Sequence, residues 1–296
     1  KWLKNNGISG LILDLRNNGG GALQTVVDMT GLFIERGPIV QVKSTGNRKQ
    51  ILYDKDPQVV WDGPLVILMN KMSASASEIL AGALQDYNRA VIIGNEKSFG
   101  KGTVQKVDLL SSGQIKFTES KFYRVSGSST QNLGVEPDIE LPSLYKIDEL
   151  GESNLDRALE HDTIPKTSFK NFNRVSTFLE PLREKSMTRI TKSALFDSVE
   201  AKKKWQAENE INFLDLNLKT RMKQKDKIEE FLLSNENSLR KALNLPTYDS
   251  YKDFVEREDD PEILDVDEEV LGEAANILID LIELKEKPLL ALNENN

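Results

Sequence analysis

The chain has 296 residues, with 39 Lys and Arg against 47 Asp and Glu, one His and no Cys, enough length for two ordinary domains. Without a thiol there is no cysteine nucleophile and no disulfide framework, and the single His161, set in an acidic stretch, leaves little material for a zinc site or a histidine base. A formal net charge of −8 argues against the broad basic surface that a phosphate backbone needs, so nucleic acid is not an expected partner.

No apolar run approaches the roughly 20 residues that span a bilayer, so no transmembrane segment is expected. Lys1-Trp2-Leu3-Lys4 is neither an initiation site nor a signal peptide, and the sequence reads as an internal fragment. Absence of Cys is compatible with an oxidising compartment without requiring one.

In chain order, residues 10–15 predict a buried strand, followed by the turn Asn17-Asn18-Gly19-Gly20-Gly21. A helix is expected over 24–33, with Val26, Val27, Thr30 and Leu32 or Phe33 near one side. Residues 64–69 give a second strand, 78–87 a second helix carrying Ile79, Leu80, Ala83 and Leu84, and 90–93 a third strand. Strand, helix, strand, helix, strand is α/β wiring. Residues 105–125 read as a hairpin around Ser111-Ser112-Gly113.

After Pro142 glycine becomes scarce, charged residues dominate and apolar positions fall at three-to-four spacing, which predicts a mainly α-helical C-terminal domain over 143–296. Limited proteolysis is expected to nick the joint first, within 144–153. The clearest helix spans 267–285, where Val270, Leu271, Ala274, Ile277, Leu278 and Leu281 form one stripe and Asp267 is the expected cap. Residues 211–218 alternate instead and predict a lone strand. The acid cluster over 256–269 reads as a solvated loop and helix start.

Three segments could carry chemistry. The glycine turn after the first strand can aim backbone amides at an anion, although it matches neither a dinucleotide fingerprint nor a P-loop and also reads as a plain turn. Ser73-Ala74-Ser75-Ala76-Ser77-Glu78 opens a helix, and Ser75 with Glu78 matches a capping box. The small Ala74 and Ala76 would equally let a substrate approach and leave the Ala76 amide free to donate, so cap and nucleophile both remain open. Lys101, between Gly100 and Gly102 at a strand entrance, is an ordinary turn lysine taken alone; as a neutral amine in a dry pocket it could accept a serine proton.

Asp14-Leu15-Arg16-Asn17-Asn18-Gly19-Gly20-Gly21, Ser73-Ala74-Ser75-Ala76-Ser77-Glu78-Ile79, Gln85-Asp86-Tyr87 with Arg89-Ala90, and Phe99-Gly100-Lys101-Gly102-Thr103-Val104-Gln105 follow one another in this order. Lys121-Phe122-Tyr123-Arg124-Val125 and Ser129-Thr130-Gln131 with Gly134-Val135, Pro137 and Asp138-Ile139 come later. Together these blocks resemble the carboxyl-terminal processing proteases, and specifically their tail-specific protease branch, over residues 10–142. The resemblance implies an α/β core of ClpP/crotonase type and a serine endopeptidase of Ser-Lys mechanism. It makes Ser75 the nucleophile, Lys101 its general base and Gln105 the residue that orients the amine. Gly20 and Ala76 would form the oxyanion hole, with Gly19 or Gly21 in neighbouring register, and Glu78 and Asp86 would support the site.

The resemblance further implies no cofactor and no metal, protein or peptide substrates cut near their C-terminal tails, a periplasmic address and an accessory lipoprotein adaptor. The family carries a PDZ domain that captures the substrate terminus by strand addition, and none lies in this chain, so a catalytic fragment without its recognition module is expected. A noncatalytic peptide-binding scaffold and a crotonase-like acyl-CoA enzyme are the alternatives. One departure stands out: the stretch from Gly94 to Phe99 holds one more residue than relatives have. It is assigned to the turn; a shifted strand would make Lys97 a rival base.

Overall fold

The computed structural model describes residues 2–46, 48–143, 150–210, 213, 215–256 and 265–293. Short α1 (Trp2–Asn5) leads into β1 (Leu11–Asp14), α2 (Leu23–Gly31), the antiparallel pair β2 (Gly37–Ser44) and β3 (Lys49–Asp54), then β4 (Leu65–Met69), α3 (Ala76–Asp86) and β5 (Val91–Gly94). A hairpin of β6 (Thr103–Leu109) and β7 (Gln114–Tyr123) precedes the short β8 (Ile139–Glu140). Beyond it lie α4 (Leu179–Ile190), α5 (Ala194–Glu208), α6 (Leu218–Ala242), α7 (Tyr251–Glu256) and α8 (Val266–Asn293).

The strands form two four-stranded sheets. One has the order β1-β4-β5-β8 with every neighbour parallel, in a register that sets Leu11 beside Leu65 and Val66 beside Val91. All five residues of β4 and all four of β5 are buried, the continuous apolar run expected of a parallel strand covered on both faces. The other sheet, β3-β2-β7-β6, is antiparallel. Val26 and Val27 of α2, Ile79, Leu80 and Leu84 of α3, Ile67 of β4 and Phe122 of β7 meet in one core, so the helices are held between chain-distant strands.

Parallel strands end on the same side. The C-terminal ends of β1, β4 and β5 therefore bring loops 15–22, 70–75 and 95–102 to one edge, where ligands of open α/β sheets usually bind. The mixed α/β core and helical C-terminal region are thus as expected. Sheet β2-β3 was not anticipated, and α3 begins at Ala76, two residues before the expected start.

Two compact units are present. The first comprises Lys1–Leu141, Tyr145–Glu184 and Ala274–Asn296. Ala274, Ile277 and Leu281 of α8 are fully buried in it, and a Cβ at Gly10 would lie 2.8 Å from Leu278. The second comprises Pro142–Leu144 and Lys185–Glu273, where Trp205 stacks on Phe231 at 4.6 Å and Asn235 donates to the Ser198 hydroxyl at 2.7 Å.

Two local expectations change in the helical region. Asp265, not Asp267, heads α8: its carbonyl accepts from the Glu268 and Glu269 amides. Leu271 of the expected stripe is 41% exposed. Of the alternating stretch 211–218, residues 211, 212 and 214 lie outside the described residues, Phe213 and Leu216 are exposed without a strand partner, and Leu218 opens α6. Residues 144–149 and 257–264, within the expected joint and acid cluster, likewise lie outside the described residues. Among the described residues, no helix is long and apolar enough to cross a membrane.

Candidate active site

The three loops at the sheet edge are stitched together by side-chain amides and hydroxyls. Asn17, in a left-handed conformation at φ 59°, donates its amide to Asn70 Oδ1 at 3.0 Å, and Asn70 Nδ2 returns a bond to Asn17 Oδ1 at 2.9 Å. The Asn18 carbonyl accepts from the Ala74 amide at 3.0 Å and the Ser77 hydroxyl at 2.9 Å. Ser73 donates its hydroxyl to the Leu15 carbonyl at 2.8 Å, while its own carbonyl accepts the Phe99 amide.

These bonds separate the three serines. Ser73 and Ser77 are buried and spend their hydroxyls on backbone carbonyls. Ser75 is half-buried and sits at the mouth of α3 with φ 58° and ψ −113°. An ordinary N-cap has extended backbone, so capping alone does not account for this conformation. A non-glycine residue held there is strained by about 1–3 kcal/mol and persists only where its surroundings dictate it. Part of that surrounding is Glu78, which accepts the Ser75 amide at 2.7 Å, the carboxylate half of the expected capping box.

The Lys101 loop is framed from both sides. The Gly100 and Lys101 amides donate to Glu78 at 2.7 and 3.0 Å. Opposite, Thr130 Oγ1 donates to the Lys101 carbonyl at 3.1 Å, Gln131 Oε1 accepts the Gly102 amide at 2.9 Å, and the Asn132 amide donates to the Gly100 carbonyl. This explains the paired glycines: Gly100 has φ 94°, and a Cβ on Gly102 would lie 2.7 Å from the Gln131 amide nitrogen and the Ser129 hydroxyl. Gly102→Ala is therefore expected to destabilise the protein by about 1–3 kcal/mol and to displace Lys101, read as a lower urea midpoint together with reduced turnover. An unchanged midpoint would show that the turn yields freely.

Ser75, Ala76, Lys101 and Gln105 line a single cavity of about 420 Å³, whose other wall includes Gly21. Val104 and Gln105 both border it where the hairpin is irregular: Val104 pairs with Ser120 and Gln105 with Thr118, leaving Glu119 as the extra residue of a bulge in β7. Lys101 is half-buried, and among the described residues its ammonium has no hydrogen-bond or ion-pair partner; Gln105 is exposed. Sharing Gly21 and Ala76, a smaller hollow of about 160 Å³ is walled by Leu15, Val26, Met29 and Leu80.

As the first residue of a helix, Ala76 presents an amide with no intrahelical acceptor. Gly20, at φ 98°, packs so closely on the elbow that a Cβ would lie 2.7 Å from the Ala76 nitrogen and 2.9 Å from Ser75 Cβ. Its amide, however, donates to Asn18 Oδ1 at 2.9 Å; Gly19, Gly20 and Gly21 are all exposed.

The remaining expected residues lie elsewhere. Asp86 ends α3 and pairs with Arg124 at 2.6 Å, away from the cavity lining. His161 Nε2 lies 3.4 Å from the Ser128 hydroxyl, and neither lines the Ser75 cavity. Lys97 does not line it either, and β5 keeps its register with β4 through Gly94. Sequence reasoning gave no role to Asn70, Ser98 or Gln131, which tie the loops together. Gln131 lay in a quoted block; the other two offered only their proximity to the site.

A model of peptidase family S41 matches residues 1–141, and one of the C-terminal domain of tail specific protease matches residues 145–283. The tail-specific protease of Haemophilus influenzae is 41% identical over 238 residues, covering 76% of this chain and 34% of the relative. The carboxy-terminal-processing protease of Bartonella bacilliformis is 42% identical over 156 residues, covering 50% of this chain and 36% of the relative. Among solved structures, the photosystem II D1 C-terminal processing protease is similar with 37% identity and a TM-score of 0.44, over 47% of this chain and 36% of that one. The chain thus spans about a third of the length of these relatives. With one family model over its α/β core and the other over its helical region, the chain is similar to peptidase family S41 in the first and to the tail-specific proteases in the second.

Proposed function

We propose that the chain carries the catalytic residues of a serine endopeptidase that cuts proteins near or at their C-termini by a Ser-Lys mechanism. The observation that carries this reading is the single cavity onto which Ser75, Ala76, Lys101 and Gln105 open. Ser75 Oγ attacks the scissile carbonyl carbon as its proton passes to the neutral Lys101 amine, and the developing oxyanion takes a hydrogen bond from the Ala76 amide. The second donor is the Gly20 amide once released from Asn18, or that of neighbouring Gly21 or Gly19. Collapse of the tetrahedral adduct expels the amine, which receives the proton from Lys101, and water then hydrolyses the acyl-enzyme with Lys101 again as base. Gln105 orients the amine by hydrogen bonding without adding the negative charge that would hold it protonated. The apolar hollow beside Ala76 suits a side chain next to the cleaved bond.

The substrates are protein tails, and a periplasmic setting with a lipoprotein adaptor and a PDZ module supplied elsewhere in the complete protein extends the proposal. A scaffold reading needs Ser75 only as a cap, which leaves its strained backbone without a cause. Stoichiometric labelling by a serine-directed acylating probe tests the nucleophile. Labelling is expected in the wild type and not in Ser75→Ala; labelling that persists in Ser75→Ala rejects it.

A further inference from the structure

We propose that Glu78 is a positioning residue that sets Ser75 and Lys101 in working relation by holding both backbones on one carboxylate, an inference that rests on those two being nucleophile and base. Glu78 Oε2 accepts the amides of Ser75 at 2.7 Å and Lys101 at 3.0 Å, so the two residues hang from the same oxygen. Glu78 Oε1 accepts the Ser98 hydroxyl at 2.5 Å and the Gly100 amide at 2.7 Å. Ser98 in turn accepts the Val135 amide at 2.7 Å, which anchors the clamp to the segment before β8. Glu78 is completely buried and none of its four bonds reaches solvent.

Only an ionised carboxylate can accept from four donors, three of them amides that cannot reverse their bonds. Protonation puts an O–H against an amide and releases one of the two backbones it joins. Burial pushes the Glu78 carboxyl up to about 7, against the opposing pull of the Ser98 hydroxyl and the Gly100, Ser75 and Lys101 amides. The charged side chains on the segments packed around it are Lys71, whose ammonium donates to the Ser98 carbonyl, Glu96, Lys97 and Lys101 on the same loop, Glu136 beside Val135, and Glu152, whose amide donates to the Phe99 carbonyl. Because the folded state binds this proton more tightly than the unfolded chain, this group contributes most stability below its ordinary value of 4.5 and loses that contribution as pH rises through about 7. An acid loss of activity from Glu78 is therefore not an unfolding limb.

The test compares wild type, Glu78→Gln and Glu78→Asp in the complete protein with a tail peptide, each variant checked for native circular dichroism. Glu78→Gln is expected to lower kcat about 100-fold through misplacement of the base, with KM nearly unchanged. Below about 7 the slope of log kcat/KM against pH is expected to be one unit shallower than in wild type, since one required deprotonation has gone. Glu78→Asp retains the charge and the steeper slope at a reduced rate. A Glu78→Gln enzyme within about threefold of wild type in kcat and with an unchanged slope overturns the proposal. Should Glu78→Gln lose its native spectrum, the wild-type profile decides, and the absence there of a titrating group near 7 overturns it. Failure of the clamp alone would leave Ser75→Ala and Lys101→Ala inactive beside an active Glu78→Gln, whereas failure of the Ser-Lys reading would leave those two variants active.

Discussion

Lys101→Arg is expected to abolish peptide cleavage as completely as Lys101→Ala, with kcat falling about 10⁴-fold or more in each, as for loss of a triad member elsewhere. Arginine keeps the positive charge and much of the reach but cannot give up its proton, so it cannot act as a base. The contrast is informative because the ammonium has no ion-pair partner among the described residues, and the loop is held by its backbone: Glu78 accepts the Lys101 amide and Thr130 donates to its carbonyl. Neither substitution touches those bonds, so urea midpoints should stay near wild type while turnover disappears. Near-normal turnover in Lys101→Arg would make Lys101 a structural cation and end the Ser-Lys reading.

Elements whose burial is continuous were readable in the sequence. The strands β4 and β5 are apolar and buried throughout, β1 is apolar but half-buried with Asp14 exposed at its end, and the order of strands and helices implied α/β wiring. The pair β2-β3 was not readable, since β3 is mostly exposed or half-exposed with no alternation and β2 is buried along most of its length, so neither shows a two-residue period. The reverse failure occurred near Phe213 and Leu216, where alternation exists without a partner strand, because periodicity records a preference for a half-buried surface and not its presence. At the site, ordered blocks named Ser75 and Lys101 by resemblance. That Glu78 joins them depends on donors 20 to 23 residues away, which no local pattern encodes. The Gly20 amide is a different case: Asn18, only two residues before it, closes on it in a local Asx-type turn.

Asp86→Ala is expected to lower stability by about 3–5 kcal/mol, the usual consequence of removing one partner from a buried ion pair. The Asp86 and Arg124 side chains are 10% and 17% exposed, and the carboxylate accepts from Arg124 Nε at 3.1 Å, Arg124 Nη2 at 2.6 Å and the Ser126 hydroxyl at 2.9 Å. Arg124 also donates to the Gly82 carbonyl and Gln85 Oε1, which fastens the end of α3 to the chain leaving β7. That chain continues into the Ser129–Gln131 turn that packs on Gly102. Loss of Asp86 strands a guanidinium in a site with two neutral acceptors and loosens the frame behind Lys101, so activity falls without any contact between Asp86 and substrate. The double variant Asp86→Ala with Arg124→Met removes the orphaned charge and is expected to recover part of the urea midpoint lost in Asp86→Ala. An Asp86→Ala protein with an unchanged midpoint and no activity would contradict the latch role and place Asp86 among the reacting groups.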